Sequence, residues 1–156
     1  MSLQLDVLLV DDNQVDLAFF ERAARKTGLN IRLQTLTSAL RAQEYLEGQG
    51  QYKDRLKFPW PHLVVIDLQM PVVSGFDFLA WRKSSPVFSS VPVVVLSGSF
   101  DPTLLKEIDL LGAYKLLVKP NDLDDWEKIV REIWKLGATR KESFQAKPPG
   151  ADGESV

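Results

Sequence analysis

Cysteine is absent from this 156-residue chain, histidine occurs once, and basic residues do not exceed acidic ones: 19 lysines and arginines stand against 21 aspartates and glutamates. Without cysteine there can be no thiol nucleophile, disulfide or thiolate metal site, which suits a reducing cytoplasm. A net charge of -2 gives little means of neutralising a phosphate backbone, so direct nucleic-acid binding is not expected. No apolar run approaches the roughly 20 residues of a membrane-spanning helix, and the start, MSLQLDVLLVDD, meets acid too early for a signal peptide. A cytoplasmic protein without membrane association is the expectation. What remains is ordinary globular material, 45% hydrophobic and 26% charged, at a length that fits one domain with a core able to stand without staples.

Short apolar runs recur at DVLLV (6–10), IRLQTL (31–36), LVVI (63–66), VPVVVLS (91–97) and KLLV (115–118). Between them, apolar residues fall at helical spacing: Leu17, Phe20 and Ala24 closing on Gly28; Leu40 to Leu46; Phe76, Leu79 and Ala80 closing before Pro86; Leu104, Ile108 and Leu111 closing on Gly112. A last helix is expected to begin near Asn121 or Asp122, bury Leu123, Trp126, Val130 and Ile133, and stop at Gly137, glycine being a common residue just past a helix end. Strict alternation of apolar strands and helices implies an α/β class: a doubly wound, five-stranded parallel sheet in the flavodoxin-like order 2-1-3-4-5. Residues 1–137 form the expected domain. The segment 138–156, with mixed charge, Pro, Gly and Ser, is expected to be a disordered tail. The longest connection, 48–62, carries Tyr52, Phe58 and Trp60, which pack the insert onto the domain or contact a partner.

In open α/β sheets ligands bind beyond the carboxyl ends of the strands, so the first polar residue after each apolar run is informative. Those residues are Asp11 and Asp12, then Asp67, then Ser97 followed by Gly98, then Lys119 followed by Pro120. Singly, each has an ordinary reading: the acids as helix caps, Ser97 as a turn residue, Lys119 as surface charge. Together they would ring one crevice. Three converging carboxylates repel one another unless cations intervene, which asks for a divalent metal and a lysine. All-oxygen ligands suit Mg²⁺, which often shares its shell with a phosphate. A carboxylate is ionised at neutral pH and can attack an activated phosphoryl donor without a general base.

The text VLLVDDN, VVIDLQMPVVSGFDFL, VVLSGS and LLVKP, in this order and spacing, resembles the receiver domain of two-component response regulators over residues 5–137. The resemblance implies the receiver fold and a phosphoryl group accepted on Asp67 from a histidine kinase. It implies Mg²⁺ held by Asp11, Asp12, Asp67 and the backbone carbonyl of Gln69. Ser97 would hydrogen-bond the phosphoryl oxygens, Lys119 would pair with their charge, and the Lys119–Pro120 bond would be cis. The long insert, the DLDDWEKIVREIWK helix and the lack of an output domain are similar to small regulators that partner phytochrome-type kinases. Such a protein signals by altered binding to a downstream protein, or as a homodimer, and catalyses only its own phosphoryl transfer and dephosphorylation. One departure stands out: where the family usually has Tyr or Phe, three residues before the lysine, this chain has Leu116. Tyr114, on the same strand face by the period of two, is a doubtful substitute.

Other readings fit less well. A haloacid-dehalogenase-type phosphatase needs a second acid two residues after the nucleophile, where this chain has Gln69. A flavodoxin needs a hydroxyl- or glycine-rich loop after the first strand, where DDNQVD would repel phosphate. No G-x-S-x-G elbow supports a hydrolase, and His62, between a proline and an apolar run, reads as structural or solvated. The remaining alternative is a receiver-like interaction module that works without phosphorylation. Trp126 belongs to the core stripe of the last helix; Trp134 lies to its side, where it packs partly buried or meets a partner.

Overall fold

The structure, a computed structural model, describes residues 3–143. Its elements follow the expected alternation: β1 (Leu5–Val10), α1 (Gln14–Thr27), β2 (Ile31–Leu36), α2 (Ala39–Glu47), β3 (Leu63–Ile66), α3 (Gly75–Lys83), β4 (Val93–Ser97), α4 (Pro102–Leu110), β5 (Lys115–Val118) and α5 (Leu123–Ser143). All strand pairs are parallel and the sheet order is β2-β1-β3-β4-β5. β4 starts at Val93, two residues later than the apolar run suggests, because Pro92 has no N–H to donate and contributes only its carbonyl, to Val64 N.

The period of two divides the central strands between two cores. Leu8, Val10, Val64, Ile66, Val93 and Val95 face α2, α3 and α4, whereas Val7, Leu9, Leu63, Val65, Val94 and Leu96 face α1 and α5. That two-sided burial is why these strands read as unbroken apolar runs rather than alternating ones. The helices start where short polar side chains take up free N–H groups. Asn13 accepts from Val15 and Asp16, Ser38 from Arg41, and Ser74 forms a capping box with Asp77. Asp122 accepts from Asp125 N at 2.9 Å at the head of α5.

α5 does not stop at Gly137 as the sequence suggests; it runs to Ser143. Here the glycine serves close packing: a Cβ at this position would lie 2.6 Å from Leu5 Cδ2 and 2.9 Å from Leu5 Cδ1. The segment expected to be tail is therefore helical over 138–143, and its remainder, 144–156, lies outside the described residues. The insert packs down. Tyr52, in a short 3-10 turn at Gly50–Lys53, is buried, and its ring lies 5.0 Å from Tyr45 and 5.1 Å from Phe58. Trp126 is in the core, and Trp134 packs half-buried beside it. Among the described residues no helix is long and apolar enough to cross a membrane.

Candidate functional site

At the carboxyl edge of the sheet each strand hands over a polar side chain. Asp11 follows β1; its N–H donates to Leu36 O (3.0 Å), its carboxylate accepts from Asn13 N (2.9 Å), and only 3% of the residue is exposed. Asp12, next in the chain, is exposed. Asp67 follows β3 and is fixed by its N–H to Val10 O at 3.1 Å. Beyond it the chain turns sharply enough that α3 begins against the strand end: a Cβ on Gly75 would lie 2.5 Å from Asp67 O and 2.7 Å from Leu68 Cα. Only glycine fits this approach. Within the same loop Val72 has φ of 67° and is exposed, a conformation costly for a β-branched residue, so strain is stored five residues after Asp67.

Ser97 ends β4. Since Ile66 pairs with Val95, it lies one residue beyond the level of Asp67. The Lys119 N–H donates to Ser97 O at 2.6 Å, which ties β5 to β4 at the crevice. The Lys119 ammonium then reaches across the sheet edge. It lies 2.7 Å from an Asp11 oxygen, 2.8 Å from an Asp16 oxygen and 3.7 Å from an Asp67 oxygen. The Lys119–Pro120 bond is trans, not cis, the ordinary preference of an X–Pro bond.

Asp11, Asp12 and Asp67 each present an oxygen within 4.8 Å of the others, an all-oxygen set able to hold a metal ion. Electrostatics follow from the crowding. Burial pushes the Asp67 carboxyl above its usual range; Lys119 opposes this, Asp11 and Asp12 reinforce it, and a Gln69 backbone N–H on the carboxylate opposes it. For Lys119, burial alone would lower its pKa, but hydrogen bonds to Asp11 and Asp16 and the nearby charges reverse that and hold it above the ordinary lysine value. A cation that stays charged beside carboxylates is suited to receive a dianion.

Sequence reasoning named Asp11, Asp12, Asp67, Ser97 and Lys119, and the fold brings these strand-end residues to one edge. Gln69 is placed with its N–H toward Asp67. Asp16 was missed: an acid in the first turn of a helix is ordinarily accounted for by the helix dipole, and only the fold shows its bond to Lys119. His62 is structural, as its context suggests. Its Nδ1 accepts from Asp6 N at 2.9 Å, at the opposite edge of the sheet.

A sequence profile of the response regulator receiver domain matches residues 7–131. The chain is 36% identical to the two-component response regulator ARR17 of Arabidopsis thaliana over 131 residues, 83% of this chain and 84% of that protein. It is 31% identical to the response regulator Rcp1 of a Synechocystis strain over 132 residues, 81% of this chain and 84% of that one. Among solved structures, the phosphorylated cyanobacterial phytochrome response regulator RcpA superposes with a TM-score of 0.78 at 26% identity, covering 94% of this chain and 99% of RcpA. The Mn²⁺-bound form of Rcp1 superposes with a TM-score of 0.72 at 29% identity, covering 83% and 91%.

Proposed function

From the premise that this chain belongs to the response regulator receiver domain family of two-component systems, we propose that it accepts a phosphoryl group on Asp67 from a histidine kinase. The observation that carries the reading is the site itself: Asp67 at the end of a buried strand, with Asp11 and Asp12 within metal-sharing distance and Lys119 beside it. A carboxylate oxygen of Asp67 attacks phosphorus as the bond from phosphorus to the donor breaks, and the electron pair leaves with the donor. With acetyl phosphate the products are acyl phosphate on Asp67 and acetate, and no proton needs a base. Burial that raises the Asp67 pKa also makes its ionised form a better nucleophile. Lys119 holds positive charge at the crevice, and Ser97 offers a hydroxyl donor to the phosphoryl oxygens.

Asp11, Asp12, Asp67 and the Gln69 carbonyl are the residues that would hold Mg²⁺. Bound there, the ion offsets the repulsion between the carboxylates and the incoming phosphoryl group. Likeness to RcpA and Rcp1 favours a phytochrome-type kinase as the donor. Output is a change in affinity for a partner protein, a second copy of the chain included. The exposed apolar residues Leu110, Tyr114 and Val118 on α4 and around β5 offer a surface for it. Phosphorylation is the only catalysis this reading requires, and its setting is the cytoplasm.

Intact-mass spectrometry after incubation with acetyl phosphate, with and without Mg²⁺, tests the reading. A Mg²⁺-dependent gain of one phosphoryl group, absent in Asp67→Asn, is expected. A folded wild-type chain that gains none from acetyl phosphate or from candidate kinases would instead be an interaction module independent of phosphorylation.

A further inference from the structure

Lys119 is held more closely by Asp16 than by the acceptor. Its ammonium is 2.8 Å from Asp16 Oδ2 and 3.7 Å from Asp67 Oδ2, the latter beyond hydrogen-bond reach. Asp16 is the third residue of α1, and its backbone is fixed by the Asn13 side chain, which accepts from Asp16 N at 3.1 Å. It is not one of the three carboxylates that share the potential metal position, so its charge is directed to Lys119. The lysine side chain is only 14% exposed and Asp16 only 21%, so water screens this pair less than a surface pair.

We infer that Asp16 is a positioning residue that parks Lys119 on the α1 side of the crevice and so competes with the phosphoryl group on Asp67 for the lysine. This rests on the acceptor reading above and adds to it a brake set by the protein's own sequence. In the free chain Asp11 and Asp16 occupy two of the three ammonium donors. A phosphoryl dianion at Asp67 is left one ammonium donor while both bonds hold, and draws a second only as the Asp16 bond stretches or breaks. Removing the Asp16 charge while keeping its size leaves Lys119 free to turn toward Asp67 before the donor arrives.

The test is Asp16→Asn, followed by NMR of the ¹⁵N-labelled Lys119 ammonium and by the rate of phosphoryl gain from acetyl phosphate with Mg²⁺. In donor-free protein the Lys119 resonance is expected to shift toward the position it takes in the phosphorylated wild-type chain. The rate is expected to rise about two- to fivefold, the range a partly exposed ion pair is worth. An unmoved resonance overturns the inference even if the rate rises, because charge removal acting only through space leaves Lys119 where it is. A moved resonance with an unchanged rate also overturns it. If the wild-type chain takes no phosphoryl group, the acceptor reading fails by its own assay and any role of Asp16 in that reaction fails with it. The donor-free resonance still reports separately whether Asp16 holds Lys119.

Discussion

Asp67 is less comfortable as an anion in the folded chain than in the unfolded one. Burial raises its pKa, with Asp11 and Asp12 adding to the effect and Lys119 not fully cancelling it. An acid whose folded pKa lies above its unfolded value, about 3.9, binds more protons folded than unfolded between the two, so its ionisation destabilises as pH rises through that window. Asp67→Asn is therefore expected to melt higher than wild type at pH 7 in metal-free buffer, and the gap should close as pH falls to about 4. Mg²⁺ should raise the wild-type melting temperature and narrow the gap at pH 7, since a ligand of the folded state alone stabilises it. Calorimetry across pH would decide; a variant that melts lower at pH 7 without metal would mean that Lys119 outweighs burial. Asp67, which alone would read as a cap, was legible in the sequence because Asp11, Asp12, Ser97 and Lys119 hold the same place after other apolar runs. Asp16 was not, since its purpose depends on a lysine 103 residues away that only the sheet order brings near.

At the scale of elements, α5 and β1 meet where the sequence pointed to an ending. Gly137 is buried within the helix, and a Cβ there would fall under 3 Å from two Leu5 methyl carbons. Leu5 is itself fully buried, so it has little room to move. Gly137→Ala would gain about 1 kcal/mol of helix propensity but lose about 1–3 kcal/mol to overpacking, and the net expectation is a less stable protein by chemical denaturation. In a Leu5→Ala background the same change should become stabilising, which separates packing from propensity. A glycine after an amphipathic run marks a helix stop in most chains, and nothing local distinguishes one that faces a neighbouring strand. The 48–62 insert shows the same limit. Its aromatic residues left packing down or a partner contact open, and the side chain that closes it is Arg55, whose guanidinium donates to Tyr45 O (3.0 Å), Leu46 O (3.1 Å) and Phe58 O (3.3 Å). At the end of α2 it reaches Leu46 O and joins the Gly48 N–H on Tyr45 O, where intrahelical donors run out. A charge in a loop ordinarily reads as solvated.

Across the whole molecule, the proposed function requires a signal from the crevice to reach a surface without disturbing a sheet whose central strands are buried on both faces. β5 is the free route: it is an edge strand, half-exposed, and joined to the crevice by the Lys119 N–H to Ser97 O. On it Leu116 packs half-buried against the core beneath α4, an apolar side chain that can follow movement only by repacking and has no hydroxyl to exchange. Tyr114 does not replace the missing aromatic. It lies before the strand with its N–H on Val93 O, at the far end from Ser97, which pairs with Val118. On the proposed reading, phosphorylation would bias two arrangements of β5 and α4 through backbone and packing, by no more than its differential free energy of interaction with them. Leu116→Tyr adds a hydrogen-bonding group to that route while leaving Asp67, Ser97 and Lys119 in place. It is therefore expected to change the ratio of partner or self-association affinities between phosphorylated and unphosphorylated chains, while the rate of phosphoryl gain stays within about twofold, a difference of under 0.5 kcal/mol in barrier. Sedimentation of both forms, beside mass spectrometry of the reaction, measures the two quantities independently. An unchanged ratio would mean that output leaves the crevice by another face, with the loop from Ser97 to α4 the next place to look.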